Sequence, residues 1–173
     1  MNVVALHASA NVPVPGCPIA SRHWPTLIGR DPRQVDRYTH LIPEDDARAA
    51  IAEIEAVAVP MGVEAAKHQA KVLIGSYPHP TVDEPEIYGR AIVSILADVP
   101  AEIGKIAVDH LTRALRFLPT RAEVVDECNE LVSQRKLAIW VAEKHLAEHA
   151  RRREERERDE VLRKERMALG LQV

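Results

Sequence analysis

At 173 residues the chain has room for one domain with extensions and for a sizeable core. Its formal net charge of −3 gives no global attraction to nucleic acid or to an anionic membrane, so such a role would need a local patch. Aromatic residues are only 3%, glycines number seven, and Asn-Gly or Asp-Gly hairpin turns are absent. The apolar load of Ala, Val, Ile and Leu therefore points to helices rather than strands.

Residues 1–30 read as an irregular arm, because Pro13, Pro15, Pro18 and Pro25 interrupt any helix. Within it, Arg22 and Trp24 place an aromatic beside basic side chains, the composition of a docking peptide for a partner. The competing assignment folds Trp24 back onto the helical body, where its large apolar area is covered. Val14-Pro15-Gly16-Cys17 superficially matches a lipoprotein cleavage site, but no Lys or Arg precedes it and prolines break the apolar run. Cys17 and Cys128 are too far apart in sequence for a metal pair or a disulfide framework, so reduced thiols in a cytoplasmic protein are expected. No apolar run approaches the length of a membrane span, and no membrane role is expected.

Pro32 to His40 can form a short helix with Val35 and Tyr38 on one face. Pro43 opens a clearer helix, with Glu44, Asp45 and Asp46 where the helix dipole favours negative charge. Its stripe of Ala47, Ala50, Ile51, Ile54, Val57 and Ala58 ends before Pro60. A third helix is expected over 61–77, with Val63, Ala66, Ala70, Leu73, Ile74 and Tyr77 inward and Lys67, His68, Gln69 and Lys71 outward. The proline-rich link over 76–85 carries Asp83, which at three residues from Glu86 reads as a capping box rather than a cation site.

Residues 87–99 are apolar nearly all round, which predicts a helix in the middle of a bundle. Pro100 opens the next, over 101–118, with the cleanest period in the chain and His110 on its apolar stripe as a hydrogen-bonded core histidine. After Pro119, Thr120 and Glu123 make a capping box that starts a helix with no proline or glycine until Gly170. Unbroken, that helix would reach about 65–75 Å. Its stripe of Cys128, Val132, Ile139, Ala142 and Leu146 narrows, and the run after Ala150 is charged, with favourable four-residue pairs but no sustained heptads of a strong coiled coil. The expected fold is thus an all-α compact helical bundle over 31–150, between the arm and a protruding charged helical tail over 151–173.

One string carries enzyme-like chemistry. His145, Glu148 and His149 match H-x-x-E-H, in which two histidines one turn apart bind zinc and the glutamate handles a water proton. No third ligand follows in the charged tail, so incidental surface histidines are the simpler assignment and a zinc hydrolase the alternative. Arg113, Arg116 and Arg121 flank Phe117 at a helix junction, with Arg90 nearby, and could meet phosphates or a protein. Glu123, Asp126 and Glu127 follow at once, so structural ion pairs are favoured over direct nucleic-acid binding. A helix-turn-helix at Val99-Pro100 is disfavoured because its second helix spends one side on core residues. Arg151, Arg152 and Arg153, at the head of the tail, complete the candidate partner-binding residues. Phosphate loops, dinucleotide turns and nucleophile elbows are absent from the sequence, and no metal or cofactor is assigned.

The succession SYP, EIYGRAIVSILADVP and RFLPTRAEVVDEC resembles small helical proteins encoded by phages and prophages. Some of these resemble phage replicative-helicase loaders that lack an ATPase core. The resemblance spans about residues 77–131 and rests on helix punctuation. It implies a non-enzymatic accessory protein in DNA replication whose partner is a replicative helicase or another replisome component, and it carries over no catalytic residue and no cofactor. The other functional expectation is an assembly adaptor, a homo-oligomer formed through the long C-terminal helix.

Overall fold

The computed structural model describes residues 27, 29–78 and 82–170. The protein is all-α: every regular element among these residues is a helix, and the nearest thing to a strand is one bridge between Pro60 and Pro100. A 3-10 helix, Pro32–Arg37, precedes α1 (Glu44–Ala56), α2 (Val63–Gly75), α3 (Pro85–Asp98), α4 (Ala101–Ala114) and α5 (Arg121–Ala168).

Proline and glycine set most of the boundaries. Pro43 and Pro100 occupy the cap positions of α1 and α4, and Pro85 takes the first turn of α3, where a missing N–H costs nothing. Gly62 caps α2 at φ 73°, a left-handed conformation that a side chain would strain. The segment leading into α2 is strapped across the α3–α4 joint: Met61 N–H donates to Val99 O at 2.8 Å, Gly62 N–H to Ala97 O at 3.2 Å, and Ala101 N–H to Val59 O at 3.2 Å. The Val99-Pro100 turn is therefore held by a backbone neighbour.

Several expected boundaries move. Helix α1 ends at Ala56, leaving Val57 and Ala58 exposed, since Pro60 biases Val59 away from helical backbone. Helix α4 stops at Ala114 rather than Leu118: the chain turns extended at Leu115, ψ 136°, and Pro119 biases Leu118 away from helical backbone as well. The capping box of Asp83 and Glu86 is not formed. Pro85 starts α3 and makes Glu84 its cap, so Glu86 falls one position short of the reach a capping box requires. The box of Thr120 and Glu123 does form, with Glu123 N–H donating to Thr120 Oγ1 at 3.3 Å and Thr120 N–H to Glu123 Oε2 at 2.6 Å.

Helix α5 is 48 residues long, about 72 Å at 1.5 Å per residue. Two apolar cores are strung along it. The first joins Leu73 of α2, Ile92 and Leu96 of α3, Ile103 and Ala107 of α4, and Val124 to Leu131 of α5. The second joins Leu27, Ile42 and the Ala47, Ala50 and Ile54 face of α1 to Ala138, Val141 and Ala142. Between Leu131 and Ala138, Arg135 is buried and ion-paired with Glu102 at the start of α4. Helix α3 is not the centre of the bundle. Only Ile92 and Leu96 are fully buried on it, and Ile87 is 55% exposed: α2 packs along it most closely, while α5 and α4 cover it more lightly.

Candidate functional site

The H-x-x-E-H residues lie where α5 leaves the second core, and all three are used to hold the chain together. His145 is fully buried, and its Nδ1 accepts the Ile42 N–H at 3.2 Å. That bond requires an unprotonated Nδ1, so the neutral ring carries its proton on Nε2, which is buried without a partner. Tyr38 stacks on the ring with centroids 5.7 Å apart, and the Arg30 guanidinium covers Tyr38 at 5.1 Å. Burial, then the nearby Arg30, His149 and Arg152 charges, push His145 down to about 4. One turn on, His149 Nε2 donates to Ile42 O at 2.8 Å. Two side chains a turn apart thus grip both backbone groups of one residue.

Glu148 is buried between two guanidiniums. Arg151 reaches both its oxygens, at 2.8 and 2.7 Å, and Arg152 adds a bond at 2.7 Å. Hydrogen bonds from Arg151 lead those causes, and they hold the carboxyl down at about 2. Arg152 continues to Tyr38 O at 2.8 Å, and Arg153 pairs with Glu44 in the first turn of α1. A zinc ion at these histidines would have to displace bonds to Ile42 and Glu148's two arginines. Among the described residues, no three His, Cys, Asp or Glu side chains are grouped to hold a metal ion.

The other predicted residues fall into separate places. Arg22 and Trp24 lie outside the described residues. Arg113 pairs with Asp109 at 2.8 Å, Arg116 lies over Phe117 at 5.6 Å, and Arg121 is exposed at the first residue of α5. Phe117 is 75% exposed in the α4–α5 joint. A shallow cleft of about 430 Å³ between α4 and α5 is lined by Glu123, Asp126, Glu127 and Glu130, and it sets an acidic field close to the expected basic group. His110 belongs to that cleft, half-buried, with Nδ1 2.8 Å from Glu127 Oε1. Burial raises the Cys128 thiol to about 11, which keeps it protonated and unreactive.

Sequence reasoning missed an apolar groove between α2 and α3. Val63, Ala70, Ile74 and Val93 line about 630 Å³ of open space, Gly89 leaves its floor without a side chain, and Lys67, Lys71, Arg90 and Glu86 form the rim. A Cβ at Gly89 would meet nothing within 4 Å. The signal was the excess of apolar residues around α3, which is consumed by this groove instead of by a central position. No described helix is long and apolar enough to cross a membrane. Compared with known proteins, the chain matches no family model, and no curated protein or solved structure is significantly similar to it.

Proposed function

We propose that the chain is a non-enzymatic accessory protein that works by docking a protein partner, and that its partner is the one implied by the phage-loader resemblance, a replicative helicase or another replisome component. The observation that carries this reading is the uncovered α2–α3 groove. An apolar trough with three cations and one acid at its rim suits an amphipathic helix bearing an acidic flank. A binding role is further supported by the fate of the enzyme-like string, since His145, Glu148 and His149 are committed to Ile42 and to arginines.

Direct binding of the full chain to a purified replicative helicase tests this. Gly89→Leu puts a side chain into the groove from a position where a Cβ meets nothing within 4 Å and raises helix propensity, and far-UV circular dichroism checks that the variant folds. Binding that Gly89→Leu abolishes, and that Lys71→Glu with Arg90→Glu weakens at least about tenfold, is the expected result. No binding, or binding that ignores both variants, overturns the reading.

A further inference from the structure

Helix α5 presents a second face that the domain leaves uncovered. Leu137, Trp140, Lys144, Ala147, Arg151, Glu154, Arg158, Val161, Glu165 and Ala168 follow one another at alternating steps of three and four, and every one is exposed. That spacing keeps a single seam facing a neighbour along about 47 Å of helix. The buried residues of the same stretch, Ala138, Val141, Ala142, His145 and Glu148, lie on the other flank against α1 and the 3-10 helix. The seam runs from the folded body into the free turns without interruption. Leu137 and Trp140 open it, Val161 and Ala168 lie toward its far end, and charges occupy most of the rest.

We infer that two copies of this chain pair along this seam as an antiparallel, two-fold dimer of α5 helices. Charge decides the direction. In a parallel, in-register pair, Lys144, Arg151, Glu154, Arg158 and Glu165 would each face their own copy, five like-charge contacts on one seam. Antiparallel, with Arg151 of one copy against Glu154 of the other, opposite charges meet twice at the two-fold axis, each group shared with partners on its own helix: Glu148 and Glu155 for Arg151, Arg158 for Glu154. In that register Lys144 lies against Val161, Arg158 against Ala147, Trp140 against Glu165 and Leu137 against Ala168, so no like charges meet. Long basic stems cover small or apolar neighbours while their heads stay in water. Each folded body packs on the flank of its own α5 that the seam leaves free.

Size sets the strength. A strip about 47 Å long and one helix wide buries on the order of 1,000 Å² in total, the lower edge for a specific interface. Half of the seam is charged, so the dimer is reversible and micromolar rather than permanent. Pairing here is independent of the α2–α3 groove, which lies on other helices.

Sedimentation equilibrium of the full chain from about 1 to about 500 µM tests it, with a monomer–dimer equilibrium expected in that range. Glu154→Arg sets two arginines against each other at both symmetry-related contacts and weakens association about tenfold. Ala147→Glu has the opposite sign, because the new carboxylate faces Arg158 of the other copy and tightens the dimer. In a parallel array that carboxylate would face its own copy and weaken it. Both positions are exposed, so far-UV circular dichroism reports intact folding in either variant. A chain that stays monomeric across the range, or a dimer that Ala147→Glu weakens, overturns the inference.

Discussion

The two cores along α5 are built on different physical terms. The first draws on four helices and buries Leu, Ile and Val side chains, with polar groups confined to its margins. There Tyr77 donates to Leu111 O at 3.1 Å and Tyr88 to Pro119 O at 2.7 Å, each closing the end of α4 or its exit. The second core has only α1, the 3-10 helix and mid-α5 to work with, and four of its buried residues are alanines, Ala47, Ala50, Ala138 and Ala142. Small side chains remove little apolar area from water, so burial alone specifies the position of α1 weakly. Directional bonds supply the rest: His145 and His149 hold Ile42, Glu148 orders two arginines, and Arg152 and Arg153 reach across to Tyr38 and Glu44. Apolar packing does not depend on proton concentration, whereas this polar junction does.

The largest effect that sharpens this contrast comes from the first core. Leu96→Ala removes a fully buried side chain from the core that joins four helices, and costs about 3–4 kcal/mol in urea unfolding. That loss stays the same at pH 7.5 and pH 5, because nothing charged is involved. Next comes acid. His145 titrates near 4 when folded, below the ~6.5 of an unfolded histidine, so the unfolded chain takes up its proton first. Stability from this group is complete above about pH 6.5 and is lost as pH falls toward 4, a change on the order of 2–3 kcal/mol. Glu148, held near 2, adds a later loss as pH drops below its ordinary 4.5. Urea unfolding of the wild type from pH 7.5 to 4.5 should show the first slope, and His145→Leu should flatten it while lowering stability at neutral pH. A slope that survives in His145→Leu would place the acid sensitivity elsewhere and break the comparison.

Much of the frame was legible in the sequence, and the reason is local. Prolines and caps act within one turn, so Pro43, Pro100 and the Thr120–Glu123 box announce helix starts from their own neighbourhood. Periodicity reports which face of a helix is apolar but not what covers it, and α3 shows the cost: Val93 reads as central and instead borders an open groove, and Ile87 is 55% exposed. The stripes also ran through Val57 and Leu118, where the following prolines bend the backbone away although the side chains suit a helix. At the junction the side chains were visible and their partners were not. His145 and His149 bind the backbone of a residue 103 and 107 positions earlier, and no motif encodes a main-chain partner at that separation. Arg153 likewise finds Glu44 across the fold, so the anchored part of α5 runs past residue 150 and only the turns beyond stand clear.

The smallest effect separates the two regions most cleanly, because it tests a polar bond that does not titrate in the working range. Burial pushes the Tyr88 hydroxyl up to about 12, so it remains a neutral donor at every pH at which the fold is stable. Tyr88→Phe keeps the ring in place and removes one donor, leaving Pro119 O, on a buried proline, to find water instead. The cost should be about 1 kcal/mol, unchanged between pH 7.5 and 5. Because Pro119 stands between α4 and the cap of α5, the loosened carbonyl should show as faster amide exchange around Leu115 to Thr120 and not at Ile42. If exchange at Ile42 rises as well, α5 transmits strain from one core to the other as a rigid rod, and the cores are one cooperative unit despite their different chemistry.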